Sequence, residues 1–505
     1  MKRRIQKLIY KQTFVLILLQ LGFMFVFFYG LSNHYVEFKI FLEILNLIVL
    51  FYVINRQDNP SYKLVWCVVI LIFPFVGGIL YMMFGGRRIP KALRSDAMES
   101  TRKSKQYLDP HQEVMDELFT QDVHIARQFN YIFRSSRYPV YRNTKVDFFK
   151  SGEEKFATLI QKLNHAKHTI YLEYFIIDEG KMWNTILAIL KEKVKQDVDV
   201  RIIFDSAGCF ETLPPHYDLF LNKEGIQCKV FNPLRPQLLI SMNNRDHRKI
   251  AVIDNEIAFT GGINLADEYI NELDRFGHWK DTAIMLEGEA VWNFTIMFLQ
   301  FWNFLSEEKI TYKKQEKILS YHDEGYVLPF SDSPTDSYDV GLNVHLNMIQ
   351  NAKFTCYIQT PYLIISYQMK QALCNAAISG VDVRIVVPHH PDKWYAHMMT
   401  QGSYRALIEA GVKIYEYLPG FIHSKTILVD HEFGLCGTIN MDWRSYYMHY
   451  EDAVLMYRCK ALQRMVEDYQ ETLDLSKLMT IEDCNQVKLP MRLFHTIMNL
   501  FSPLM

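Results

Sequence analysis

The chain writes one signature twice. "HRKIAVIDNEIAFTGGIN" starts at His247 and "HSKTILVDHEFGLCGTIN" at His423, and the His, Lys, Asp, Gly and Asn all recur with a displacement of 176 residues. A short motif met once carries little weight, but two copies with the same tail mark a duplication. The surrounding segments repeat as well. "AKHTIYLEYF" from Ala166 and "AKFTCYIQTPY" from Ala352 read as buried strands, each followed by a helical stretch and then by "VDVRIIF" at Val198 or "VDVRIVV" at Val381. Strand, helix, strand is a βαβ grammar, so the spacing predicts two tandem α/β lobes, sheets flanked by helices, related by a pseudo-twofold axis.

The expected boundaries are 141–305 for the first lobe and 339–505 for the second. The polar, turn-rich run "SEEKITYKKQEK…SDSPTDS" makes 306–338 a linker. The closing "LPMRLFHTIMNLFSPLM" has apolar residues at helical intervals and reads as an amphipathic segment of the second lobe, docked on the domain, with a membrane contact as the alternative. Residues 91–140 form a basic connector.

Residues 1–90 follow a different rule. After the basic "MKRRIQKLIYK" come three apolar stretches, Phe14–Leu31, Ile40–Ile54 and Leu64–Phe84. The first and third are long enough to cross a hydrocarbon core of roughly 30 Å as helices. The middle one is short and carries Glu43 and Asn46, so a segment lying on or re-entering the membrane competes with a span. The region reads as a retained anchor with two or three transmembrane helices, which makes the protein multi-pass in a cell membrane. The positive-inside rule pulls both the N-terminus and the Arg87, Arg88, Lys91 and Arg94 cluster to the cytoplasm, and three full spans cannot satisfy both. Eight scattered cysteines without a Cys-x-x-Cys pair suit a reducing compartment, which favours a cytoplasmic catalytic region. They offer no metal site, and the reading is of an enzyme with no metal and no cofactor.

On a strand, residues two apart share a face, so His247 projects with Lys249 and His423 with Lys425. Asp254 and Asp430 complete the catalytic signature but lie seven residues on, an odd number. That parity points them to the support of the strand or its turn. Gly261, Gly262 and Gly437 let backbone approach closely, and Asn264 and Asn440 then offer amides beside the His/Lys pairs as phosphate ligands. Each lobe thus supplies an imidazole, an ammonium and an amide. A phosphodiester needs a nucleophile on one side of phosphorus and an acid for the leaving alcohol on the other, so two lobes meeting at one site make a complete catalyst. A nucleophilic imidazole is held in one tautomer by a carboxylate, and Asp281 in "GHWKDTAIML" and Glu451 in "MHYEDAVLMY" occupy matching contexts for that role.

The two signatures are those of the phospholipase D superfamily. Within it, "NPSYKLVW…FPFVGGILYMMFGGR", "IYLEYFIIDEG" and "GTINMDWRSYYMHYE" resemble bacterial cardiolipin synthases, from about Arg56 to the C-terminus. The resemblance implies two phospholipase D-like domains that convert two phosphatidylglycerol molecules into cardiolipin and glycerol. It implies a phosphatidyl-histidine on His247 and acid/base work by His423. His449 and Tyr450 depart from the family's more common Asn and Phe, and the first apolar stretch is additional to its common two-span pattern. The residues alone indicate membrane-anchored phosphodiester exchange on a bilayer phospholipid and do not choose alcohol over water as acceptor. A hydrolytic phospholipase D therefore stays open. A tethered nuclease is disfavoured by a net charge of -1, which gives no footprint for nucleic acid. A noncatalytic scaffold is disfavoured by the completeness of both motifs. Nothing in the sequence sets an oligomeric state.

Overall fold

The computed structural model describes residues 22, 26–27, 29–31, 36–73, 76–85, 91–233, 244–306, 309–312, 321, 325–486, 494 and 498–504. They fall into two compact units. The smaller gathers the described residues before Ala92 together with 498–504, and the larger holds Ala92–Pro233 and Asn244–His495.

The small unit contains helices Val36–Asn55, Pro60–Ile72 and Gly77–Phe84. Asn59 caps the second through its side chain, with Pro60 at the first helical position, where a missing N–H costs nothing. Val49, Val53, Tyr62, Trp66, Ile70 and Tyr81 form its core. Asn46, a polar residue inside the middle apolar stretch, is buried and accepts from the Gly78 N–H at 2.8 Å, tying two helices together. The third apolar stretch is not one helix: the helix from Pro60 stops at Ile72, just before Pro74, and a new one starts at Gly77. Among the described residues no helix is long and apolar enough to cross a membrane. Val36–Asn55 carries Glu37, Lys39 and Glu43 in its first half, and the other two helices have 13 and 8 residues. Phe14–Leu31 lies largely outside the described residues, as do Arg87 and Arg88.

Among the described residues the large unit carries seventeen strands. The first lobe holds β1 Thr144–Phe149, β2 Thr169–Tyr174, β3 Asp199–Asp205, β4 Gln227–Phe231, β5 Lys249–Ile253, β6 Ile257–Gly261, β7 His278–Lys280 and β8 Ala283–Gly288. The second holds β9 Tyr326–Asp332, β10 Thr355–Gln359, β11 Asp382–Pro388, β12 Lys413–Tyr417, β13 Gly420–Ile422, β14 Thr426–Val429, β15 Phe433–Gly437, β16 Glu451–Tyr457 and β17 Ser476–Leu478. One sheet runs β1-β8-β6-β5-β2-β3-β4 and the other β9-β16-β15-β14-β10-β11-β12-β17, so the two mixed sheets share one topology, with β17 added at an edge. Strands β2, β3 and β4 pair in parallel, as do β10, β11 and β12, which are the βαβ units anticipated from the repeated segments.

Two boundaries differ from expectation. Strand β9 lies inside the stretch read as linker and forms an edge of the second sheet by pairing with β16. Its Pro329 obscures it in the sequence, yet proline is tolerated on an edge strand. The C-terminal Ser502–Leu504 turn contacts helix Pro60–Ile72 and belongs to the small unit rather than the second lobe. One apolar cluster runs through both lobes, including Leu286 and Phe298 of the first and Ile358 and Leu455 of the second. The lobes are therefore packed as one body.

Candidate active site

The lobes interlock through two short parallel pairings, and these build the site. Strand β13 pairs with β7, Ile422 opposite Lys280, while Asp246 bridges to Tyr450. Each pairing sets the residue before a motif histidine against the residue before a carboxylate of the other lobe. The backbone bonds are His423 N–H to Lys280 O at 2.7 Å and His247 N–H to Tyr450 O at 2.9 Å. Parallel register then delivers the next residues together: His423 Nδ1 lies 2.7 Å from Asp281 Oδ2, and His247 Nδ1 lies 3.0 and 2.9 Å from the two oxygens of Glu451. Each imidazole is held by the opposite lobe. Neither lobe alone has an oriented histidine.

Both rings are 7% exposed and Lys249, Asp281 and Glu451 are fully buried. The lysine ammoniums turn back onto the histidine carbonyls, Lys249 onto His247 and Lys425 onto His423. The charges of the two lobes act on one another: burial lowers the His423 pKa, Lys425 and then Lys249 of the first lobe lower it further, and Asp281 opposes the effect of burial on Lys425. Burial pushes the His247 imidazole down to about 3 against the attraction of Glu451, so the ring is neutral. Burial acts on Glu451 in the opposite direction, yet His247 and His449 outweigh it and hold this carboxyl well below the usual range. Burial also lowers Lys249 to about 8 and Lys425 to about 7, and raises Asp281 to about 6 against the pull of Lys425. An anion entering between the lysines would favour the charged forms of Lys249 and Lys425.

The motif aspartates stand apart from this chemistry. Asp254 closes the far end of β5, five residues past Lys249, and a strand rises roughly 3.3 Å per residue. Its carboxylate accepts from the backbone N–H groups of Lys167, His168 and Thr169 at 2.8, 2.7 and 2.8 Å. Asp430 does the same for Lys353, Phe354 and Thr355 at 2.9, 2.7 and 2.9 Å. Both have positive φ, 53° and 50°, as a turn residue of this type tolerates. Their carboxylates meet the backbone at the entry to β2 and β10, away from the His/Lys pairs with which the signature groups them.

Asn264 is only partly available as a phosphate ligand. Its Nδ2 donates to the Tyr269 hydroxyl at 2.7 Å and its Oδ1 accepts from Ile176 N–H at 3.0 Å, which leaves one N–H. The Asn440 Oδ1 is buried without a hydrogen-bond partner. At Gly262 an added Cβ would sit 2.1 Å from Asp281 Oδ1, so only glycine leaves room for the carboxylate that holds His423. The corresponding residue of the second lobe is Thr438, whose hydroxyl donates to Glu451.

Several contributors escaped the sequence reading. Asp452 accepts from the Thr260 hydroxyl beside Lys249. Arg248 is buried between Glu173 at 2.6 Å and Asp246 at 3.0 Å and lies 4.2 Å from the Phe301 ring centre, bracing the strand from behind. His449 sits with its ring centre 5.4 Å from that of His247. The period of two that joins His247 to Lys249 also joins His449 to Glu451, and that was the available signal.

A family model described as "Cardiolipin synthase, PLD-like domain" matches residues 159–276 and 345–473, and one described as "Phospholipase_D-nuclease N-terminal" matches 44–86. An uncharacterized protein of Streptococcus mutans is 42% identical over 90% of this chain and 99% of its own length. The cardiolipin synthase of Alkalihalophilus pseudofirmus is 33% identical over 93% of both chains. In fold, the chain is similar to the crystal structure of phosphatidylserine synthase from Haemophilus influenzae, with a TM-score of 0.59 over 75% of this chain and 99% of that one at 14% identity.

Proposed function

The chain belongs to the cardiolipin synthase family of phospholipase D-like proteins, and from that membership and the crossed pairs we infer that it joins two phosphatidylglycerol molecules into cardiolipin and releases glycerol. The observation that carries this reading is the reciprocal hold of His247 by Glu451 and of His423 by Asp281. It supplies two oriented imidazoles of opposite origin in one charge cluster, which is what an in-line exchange at phosphorus requires.

His247, neutral and donating Nδ1–H to Glu451, attacks phosphorus through Nε2. A P–N bond forms, the P–O bond to the headgroup glycerol breaks, and His423 gives its proton to the departing oxygen. The headgroup hydroxyl of a second phosphatidylglycerol then returns a proton to His423 and attacks phosphorus, and the P–N bond breaks to restore His247. Burial, Lys425 and Lys249 hold His423 neutral. The phosphodiester's negative charge offsets both lysines, so the proton that His423 must donate arrives with the substrate. Lys249, Lys425, the remaining N–H of Asn264 and the amide of Asn440 take the nonbridging oxygens. Burial of both rings supports transfer over hydrolysis, because a dry site restrains water from the intermediate.

The small unit fits a membrane seat. Phe41, Ile44, Leu47, Ile48 and Phe51 are each about half exposed or more on Val36–Asn55, an apolar face suited to lipid. Confinement to the surface that carries the substrate raises its effective concentration.

The test is product analysis. Detergent-solubilised full-length protein in vesicles of labelled phosphatidylglycerol, with EDTA present, should yield cardiolipin and free glycerol in equal amounts. Phosphatidic acid as the main product would replace this reading with hydrolysis.

A further inference from the structure

The mechanism above leaves one buried imidazole unused. His449 is 8% exposed; its Nε2 has no hydrogen-bond partner, and its Nδ1 stands 3.5 Å from Glu451 Oε1, outside hydrogen-bonding geometry. A buried polar atom left unpaired is costly, so a site that keeps one is open to a polar occupant. Three Lewis bases converge there. One ring nitrogen of His247, one of His449 and a carboxylate oxygen of Glu451 all lie within 4.8 Å of one another, and all three residues are buried.

The two separations from the carboxylate come near those of a small tetrahedral ion. Bonds of about 2.0–2.1 Å to nitrogen and carboxylate oxygen give a tetrahedron with edges of about 3.3 Å. Glu451 Oε1 lies 3.0 Å from His247 Nδ1 and 3.5 Å from His449 Nδ1. Two imidazoles and one carboxylate form a borderline donor set, which takes zinc and its neighbours in preference to magnesium or calcium. The other lobe offers a control within the same molecule. The parallel pairings place Trp279 relative to Asp281 as His449 stands to Glu451, and Trp279 also lies 5.4 Å from its histidine, His423. An indole N–H is a donor only and binds no cation. The chelate exists on one side.

We propose that His247, His449 and Glu451 form a binding site for a d-block divalent cation of the zinc type, and that its occupation stops transfer by engaging the ring of His247. The cation takes the place of the Nδ1 proton between His247 and Glu451, and that proton leaves to solvent. His247 loses the hydrogen bond that keeps its Nε2 electron-rich. Lys249, which bonds the His247 carbonyl, opposes the cation, so binding is reversible rather than structural.

Only the inhibition arm rests on the catalytic reading of His247; the binding arm stands by itself. Equilibrium dialysis of the detergent-solubilised full chain against zinc chloride should show one more equivalent bound by the wild type than by His449→Asn. Cobalt chloride should give tetrahedral visible absorption bands in the wild type alone. Magnesium chloride should bind at neither. In phosphatidylglycerol vesicles, zinc should inhibit the wild type, EDTA should restore it, and His449→Asn should keep basal transfer while losing at least tenfold in zinc sensitivity. His449→Gln serves as a second variant should the first fail to fold. Equal zinc uptake by wild type and variants, or no uptake by the wild type, overturns the proposal; zinc held elsewhere, as on the His389–His390 pair, is common to all variants and cancels. Binding without inhibition would leave the metal site standing and refute the part assigned to His247.

Discussion

The two halves of the site share a backbone plan and differ in what surrounds each histidine. His247 meets both oxygens of Glu451, a carboxylate that also accepts from Thr438, and has His449 beside it. His423 meets one oxygen of Asp281, has glycine where the other lobe has Thr438, and is flanked by Tyr269, Trp279 and Phe421 with ring centres 5.6, 5.4 and 5.8 Å away. One side is wired for a steadily ionised partner. The other places a carboxylate pushed up to about 6 among aromatic rings. Duplication supplied the symmetry of the two crossed pairs, and divergence supplied the inequality between them.

The largest expected effect breaks the comparison outright. His247→Ala and His423→Ala should each reduce cardiolipin formation by at least about a thousandfold, as expected when a nucleophile or its proton partner is removed. A substrate whose leaving group is p-nitrophenolate needs no acid, so it should separate them. His423→Ala should still release a stoichiometric burst of p-nitrophenol, whereas His247→Ala should release none; the reverse pattern would exchange the two roles.

Next come the carboxylates. Because the pairs are crossed, Glu451→Gln should impair the His247 step and Asp281→Asn the His423 step, each by about 10- to 100-fold in kcat with KM little changed. Burst kinetics read the assignment directly: only Glu451→Gln should slow the p-nitrophenol burst. If Asp281→Asn slowed it instead, the crossing would have no catalytic meaning.

The inequality should also appear in the pH profile. As pH falls through about 6, Asp281 gains a proton and His423 loses its anionic partner, while His247, held near 3, stays neutral. As pH rises through about 7 and then about 8, Lys425 and Lys249 lose the charge that grips phosphate. A profile of kcat/KM narrowed between these limbs follows, and since bound phosphate favours the charged lysines, the alkaline limb of kcat should lie higher. Lys425→Arg, which stays protonated, should move the alkaline limb of kcat/KM upward. An unmoved limb would detach Lys425 from it.

Gly262 and Thr438 hold equivalent positions, so they sharpen the comparison at a single residue. Gly262→Ala would drive a methyl group into the Asp281 carboxylate and should cost about as much activity as Asp281→Asn. Thr438→Val removes one hydrogen bond to Glu451, which His247 still holds through both oxygens, and should cost a few-fold at most, an interaction worth roughly 1–3 kcal/mol being partly replaced.

Much of this architecture could be read from periodicity. The 176-residue displacement announced two lobes, and the repeated βαβ segments became β2–β3 and β10–β11 in parallel pairs. The crossing could not be read. It depends on Asp246 meeting Tyr450 and on Ile422 meeting Lys280, contacts between residues 204 and 142 positions apart in segments of three residues or fewer, too short to carry a periodic signal. Strand β9 was hidden by its proline and by the polar run before it. The C-terminal turn was assigned to the wrong body because amphipathic spacing states that a segment will pack and not which surface it will find. His449 stood in view as a departure from the family pattern, but its meaning required the burial of both nitrogens.

The smallest expected effect on chemistry concerns the pair that stayed symmetric. Asp254 and Asp430 each accept three backbone N–H groups at the start of the neighbouring strand, with matching geometry in both lobes. An asparagine there keeps one carbonyl oxygen, loses the charge and turns an amide toward donors, so each substitution should destabilise the fold by roughly 1–3 kcal/mol. Activity per folded molecule should stay within about twofold of the wild type, because the turn stands at the opposite end of the strand from the lysines. Thermal unfolding paired with a transfer assay on the folded fraction separates the two effects. The losses should be alike for Asp254→Asn and Asp430→Asn, since nothing in their surroundings has diverged as the histidine environments have. A stable but inactive Asp254→Asn protein would move this aspartate back into the chemistry and reduce the distinction between scaffold and site on which the contrast of the two halves depends.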